Sequence, residues 1–344
     1  MSRARTFADL ATASEEGSLA SPNLLINGDM AISQRATSLS GQTGSSIRCV
    51  DRFNIVEGAD AAFDVAQSST APDGFNNSLK IDTATADSSL ASTQYASVYQ
   101  RLEGLDVQQL LFGTSSAKSV TLSFYVKSNV TGTYSVTMSL ADASSGYQSQ
   151  TYSISSANTW EKKTITFIGD TTTAIPDDNT NAFAIDWCLG SGTGYTSGGA
   201  TGQAWSSDVT KYFGGHAVNI MSSTDNEWLL TGVQLEIGEV ATPFKYESHE
   251  YNLQRCQRYY EEGYIGFGAN ITHSTHYQFH QHGFNTPKRT DDSYTMTLTV
   301  DNEYSITTFN TVYRRDFSGV GIVAYGAAGY NRYLVSFACE DEVN

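Results

Sequence analysis

The sequence predicts an all-β protein: a jelly-roll β-sandwich, then a linking helix and a smaller C-terminal β domain, preceded by an N-terminal arm. Three observations carry that expectation. Short runs of alternating apolar and polar residues recur along most of the 344-residue chain. Gly- and Asn-rich turns separate them, as at residues 129–132 and in a Gly/Ser/Thr loop at 191–204. Only 16% of residues are charged, so hydroxyls and amides wet the surface in place of the Lys–Glu pairs typical of helical proteins.

Residues 1–21 are small and polar, with one short amphipathic piece from Phe7 to Leu10. So short a piece does not hold a helix alone. It reads as an attachment arm, with Arg3, Arg5, Phe7 and Leu10 as its candidate contacts. Residues 22–245 carry the sandwich pattern. Val120, Leu122, Phe124 and Val126 share one strand face, as do Tyr134, Val136, Met138 and Leu140. Similar runs start at Trp160, Phe183 and Trp228, the last expected to close its sheet near the start of the domain. Over 246–262 the period lengthens. Leu253, Cys256 and Tyr260 fall on one helical stripe, with Pro243 before it and Gly263 as the stop. Alternation returns at 294–300, 321–325 and 333–337, which marks 263–344 as the second β domain.

The formal net charge of −16 repels phosphate backbones and excludes nucleic acid as a partner. Cys49, Cys188, Cys256 and Cys339 are far apart and form no CxxC pair, so neither a zinc ribbon nor a disulfide framework is expected, only buried thiols. The first ten residues lack the apolar run of a signal peptide. No stretch approaches the roughly 18 apolar residues of a membrane helix, so no membrane insertion is expected. An extracellular style of composition without an export signal fits release by lysis, as part of a virus.

No HExxH, GxSxG or P-loop occurs, and no cofactor is expected. Asp177 with Asp178, and Glu261 with Glu262, are adjacent pairs whose side chains diverge in a strand, so they read as solvated turn carboxylates rather than an acid/base couple. The chain holds 20 tyrosines. Around the Gly/Ser loop, Trp187, Tyr195 and Trp205 are the candidate glycan-stacking residues, because sugar rings lie on flat aromatic faces; the alternative for Trp187 is a core position. His273, His276, His280 and His282 cluster, and His280 and His282 share a strand face as an H-x-H pair. In a threefold oligomer such pairs supply six nitrogens for iron or a similar metal, against the alternative of polar surface histidines.

Three phrases occur together: NLLINGDMAISQR at 23–35, AKSVTLSFYVK at 117–127, and LTGVQLEIGEVATPF at 230–244, which runs on to YNLQRCQRYY at 251–260. Together they resemble a family of tail fibre and minor structural proteins of tailed bacteriophages whose central domain is similar to a carbohydrate-binding jelly roll. The opening SRARTFADL at 2–10 is similar to the start of phage fibre subunits. The resemblance covers roughly residues 1–260 and only loosely the last domain. It implies a non-enzymatic virion protein, assembled as a homo-oligomer, expected to be a trimer. Its partners would be a host surface glycan and, through the arm, other virion proteins such as a tail or baseplate adaptor. Some phage fibre tips carry H-x-H stacks of the kind described above. A head decoration or head fibre protein would share this composition, and a phage polysaccharide hydrolase or esterase is the alternative of another class. Relatives with this jelly roll often hold a structural calcium, but the matching positions here are Ala31 and Thr231 or Gly232, which offer no carboxylate.

Overall fold

The computed structural model describes residues 23–141, 146–271, 277–290, 294–301, 306–310, 315–316, 319–326 and 329–342. The arm candidates Arg3, Arg5, Phe7 and Leu10 lie outside the described residues. The rest divides into two compact units, one reaching to Glu247 and the other spanning Ser248–Glu342.

The first unit is a jelly-roll sandwich. Its strands are β1 (Ser38–Gln42), β2 (Gly44–Ile47), β3 (Asn54–Glu57), β4 (Ala62–Ser68), β5 (Ser78–Thr85), β6 (Tyr95–Glu103), β7 (Val120–Ser128), β8 (Gly132–Leu140), β9 (Gly146–Ile154), β10 (Glu161–Phe167), β11 (Asn181–Ser191) and β12 (Glu227–Ile237). Two six-stranded sheets form, in the orders β1-β4-β5-β12-β7-β10 and β2-β3-β6-β11-β8-β9, and every pairing is antiparallel. Alternation sets which side chains face inward. Val120, Leu122, Phe124 and Val126 of β7, and Tyr134, Val136 and Met138 of β8, are fully buried. Phe124 from one sheet meets Trp187 from the other, ring centroids 5.9 Å apart and nearly perpendicular.

The opening phrase forms turns rather than a regular strand, because its side-chain amides take over the backbone bonding. Asn23 Nδ2 donates to Val233 O (2.8 Å), and its Oδ1 accepts from Leu25 N and Leu235 N. Asn27, at φ 61°, clamps Ile32 and Asp51. A Cβ on Gly28 would lie 2.0 Å from Val233 O, so only glycine lets the opening turn pass this close to β12. The Trp228 run does meet the start of the domain, as β12, but inside its sheet between β5 and β7.

The second unit begins with helix α1 (His249–Gln257), capped by Ser248, whose hydroxyl accepts from Tyr251 N at 3.3 Å. It is shorter than the expected 246–262, and the buried stripe is turned: Asn252, Cys256 and Tyr259 are buried, while Leu253 is only half-buried. Tyr260 is buried too, but as the first residue of a strand. The helix stops where Tyr260 and Glu261 pair with Glu340 and Cys339. Strands β13 (Tyr260–Ile271), β14 (Tyr277–Gly283), β15 (Thr295–Asp301), β16 (Ile306–Asn310), β17 (Arg315–Asp316), β18 (Gly319–Gly326) and β19 (Gly329–Glu340) follow. They form a β13-β19-β15 sheet and a β14-β18-β16 sheet, with β17 on β18. Glu261 is not a solvated turn carboxylate. It is buried and accepts from Lys288 Nζ at 2.6 Å, and the same ammonium donates to Gln257 O and sits 4.5 Å from the Phe284 ring centroid.

Candidate functional site

The outward face of the β6–β11–β8 region is polar, a consequence of strand parity. Phe183, Ile185 and Trp187 turn into the core, so Ala184, Asp186 and Cys188 turn out. Tyr95, Ser97, Tyr99 and Arg101 of β6 and Ser135, Thr137 and Ser139 of β8 share that outward parity. Register places Asp186 between Tyr99 and Thr137, and Ala184 between Arg101 and Ser139.

The long connection from β11 to β12 covers part of this face. Ser149 Oγ donates to Lys211 O at 2.6 Å, Thr137 Oγ1 donates to Tyr212 O, and Ser135 N donates to His216 Nδ1 at 3.1 Å. Tyr147 and Ser206 exchange backbone bonds. What stays open is a cleft of about 140 Å³ walled by Tyr95, Tyr99, Arg101, Asn181, Asp186 and Tyr212. The Arg101 guanidinium lies 4.6 Å from the centroid of the Tyr99 ring.

Asp186 is buried. Tyr212 OH donates to its Oδ2 at 3.1 Å, while Oδ1 has no hydrogen-bond partner. The Ser97 hydroxyl is near enough to favour the ionised carboxyl but is not aligned as a hydrogen bond. Burial raises the Asp186 pKa to about 7, against the smaller opposing pull of Ser97, Tyr212 and Arg101. Burial and then the Asp186 charge push the Tyr95 and Tyr212 hydroxyls up as well, so both stay protonated donors. The cleft therefore sets a carboxyl at its floor among a guanidinium, phenol and serine hydroxyls and an amide, a set suited to a polyhydroxylated ligand.

The expected stacking residues divide. Trp187 is 0% exposed, packed on Phe53 and Phe124, and so is a core residue that no sugar reaches. Trp205 is half-buried against Phe112, with Nε1 donating to Ile168 O. Tyr195, on a helical turn at Thr193–Thr196, packs edge-on to Tyr95 at 5.1 Å and so stands behind the cleft wall. Tyr95, Tyr99, Arg101, Asp186 and Tyr212 were not singled out from the sequence. The signal for Asp186 lay in the outward parity of its run, but the partners on β6 are fixed only by sheet pairing.

In β14, His280 pairs in register with Ile322 and His282 with Val320. The His282 ring packs on Phe337 at 4.6 Å and on Phe284 at 6.2 Å; the His280 side chain, His273 and His276 lie outside the described residues. Among the described residues no three His, Cys, Asp or Glu side chains come together as a metal site. The positions that would hold calcium do not fit it: the Thr231 hydroxyl donates to Asn77 O, and Gly232 has no side chain. All four cysteines are buried and none forms a disulfide. Among the described residues no helix is long and apolar enough to cross a membrane.

No protein-family profile matches the chain, and no curated protein matches it in sequence. Solved structures of similar shape include a family 4 carbohydrate-binding module (13% identity, TM-score 0.35, covering 61% of this chain and 97% of the module). A family 11 carbohydrate-binding module of a Clostridium thermocellum cellulosomal cellulase is comparable (13%, TM-score 0.32, 59% and 98%). The enzymatically active domain of tailspike protein 4 of bacteriophage CBA120 is another (11%, TM-score 0.32, 62% of this chain), and there the match spans 21% of the tailspike. At identities and TM-scores this low the likenesses decide nothing about this chain, whose jelly roll follows from its own strand order.

Proposed function

We propose that this chain is a non-catalytic glycan-binding protein of a tailed-phage virion, a tail fibre or receptor-binding subunit that attaches through its N-terminal arm. The observation that carries the binding part is the buried, unpartnered Asp186 Oδ1 at the floor of a tyrosine- and arginine-walled cleft on the outer face of a sheet. A buried carboxylate without a partner is costly, and a ligand hydroxyl donating to it removes that cost. Tyr95 supplies an aromatic wall, and Arg101 and the serine hydroxyls supply donors for ring and hydroxyl oxygens. Hydrolysis is disfavoured because, among the described residues, Asp186 is the lone carboxylate lining the cleft, whereas glycoside cleavage uses a flanking pair. The virion part rests on the three phrases and the composition, as does assembly into a trimer.

A glycan array probed with the purified full chain tests the binding. The wild-type protein should retain a bacterial surface polysaccharide, and Arg101→Ala and Asp186→Asn should retain it far more weakly while their melting temperatures show a folded sandwich. Equal retention by all three proteins would overturn the assignment of the site, and no retention of any glycan would overturn the function.

A further inference from the structure

The phrase at 230–244 has a second consequence, on the outer face of the other sheet. There the register of β12 with β7 slips between Thr231 and Gln234, and Gly232 sits at φ +60°. A Cβ at that position would lie 2.7 Å from Phe75 Cζ and 2.9 Å from Tyr125 Cδ2. The bulge and its left-handed glycine therefore clear space for two rings on the sheet surface. Phe75 also packs on Phe244 at 5.1 Å and on Tyr246 at 5.6 Å, which makes one platform of four rings. Tyr246 is 59% exposed. Above the platform is an open groove of about 410 Å³, with Lys162 and Asp73 exposed among its lining residues.

The groove is held in shape before anything binds. Buried Glu236 accepts from the Thr242 amide at 3.0 Å and from the Thr242 hydroxyl, and Gln234 Oε1 accepts from Lys245 N at 2.8 Å. Tyr246 OH donates to Gly74 O at 2.6 Å, tying the two walls together. Burying a glutamate is expensive unless its oxygens are hydrogen-bonded, a condition the two Thr242 donors meet only in this loop geometry. Large rings left half-bare on a sheet face mark a ligand or partner surface.

We infer that this groove is a second saccharide-binding site, taking a hexopyranose unit of a polysaccharide, on the sheet opposite the Asp186 cleft. A pyranose has an apolar C–H face and a hydroxylated edge. The rings of Tyr125, Phe244 and Tyr246 suit the face, and Lys162 and Asp73 bring one cationic donor and one anionic acceptor to the edge. Both signs at the rim match hydroxyls, which donate and accept, better than they match an ion. Two sites on opposite sheets would let one subunit hold two strands of a surface polysaccharide, a gain through effective concentration.

The test uses the full chain and hexasaccharides of β-1,4-linked glucose, mannose and N-acetylglucosamine, with the array's best polysaccharide fragment added, read by saturation-transfer NMR. Tyr246→Ala and Lys162→Ala alter exposed side chains and leave the core untouched. Tyr246→Ala should weaken binding about tenfold, the loss of one stacked ring, and the groove should still bind in Asp186→Asn. Binding unchanged by Tyr246→Ala and abolished by Asp186→Asn would leave the cleft as the sole site and overturn this inference. So would a concentration-dependent dimer dissolved by Tyr246→Ala, or a proline-rich peptide that binds the groove where no saccharide does.

Discussion

Replacing Asp186 by asparagine isolates the energetic signature of the cleft. Asparagine keeps the shape and can still accept from Tyr212, but it never ionises. The carboxyl titrates at about 7 in the folded chain against 3.8 for a free aspartate. Because the folded value is raised, the folded protein keeps this proton where the unfolded chain has lost it. The resulting stability is complete below about pH 3.8 and is lost as pH rises through about 7. At about 1.4 kcal/mol per pH unit, the asparagine variant should gain up to roughly 4 kcal/mol over wild type between pH 4 and pH 8. The groups facing the carboxyl, Tyr95, Tyr212, Cys188 and Arg101, are shared by both proteins. His216, held down to about 4 by burial, works in the opposite sense, losing stability as pH falls from 6.5 towards 4. It is also common to both, so the difference between the two curves removes it. Urea unfolding followed by fluorescence of the buried Trp187 and Trp228 across this pH range gives the difference directly. Parallel curves for the two proteins would refute the reasoning, since they would mean that solvent reaches the carboxyl and it ionises normally.

Other perturbations follow from the same packing. Lys288→Met leaves Glu261 buried without its cation and should destabilise the second unit by about 3–5 kcal/mol, with Lys288→Met/Glu261→Gln recovering part of the loss; calorimetry of the two unfolding transitions checks this. Gly232→Ala should cost about 1–3 kcal/mol, because an L-residue there is strained and its Cβ strikes two rings; urea midpoints measure it. Trp187→Ala should cost about 3–5 kcal/mol as a core cavity. A binding loss without a stability loss in that variant would return Trp187 to the ligand site.

Much of the sandwich was legible because the inward residues of β7 and β8 alternate without a break, and parity assigns them to the core whatever their partners are. Parity also argued for Trp187 as core, in step with Phe183 and Ile185; proximity to the Gly/Ser loop pulled it towards the surface. The cleft was not legible. Tyr99 and Asp186 meet only because β6 and β11 are neighbours in the sheet, and neither strand names the other in sequence. The groove was hidden by its own motif: the phrase at 230–244 reads as a closing strand, while the bulge at Gly232 and the return of Phe244 onto Phe75 are tertiary. Helix α1 was found but over-extended, because Leu253, Cys256 and Tyr260 satisfy a helical stripe as well as Asn252, Cys256 and Tyr259 do. The capping Ser248 marked its true start. Glu261 looked solvated because Lys288, its buried partner, comes 27 residues later.

The most direct test of the central claim is a crystal structure of the full chain bound to the oligosaccharide that the array selects. The account predicts a sugar hydroxyl hydrogen-bonded to the Asp186 carboxyl as the ligand settles on the cleft floor, the sugar ring against Tyr95 and an oxygen facing Arg101. A sugar seated elsewhere, with the Asp186 cleft holding only water, would contradict it.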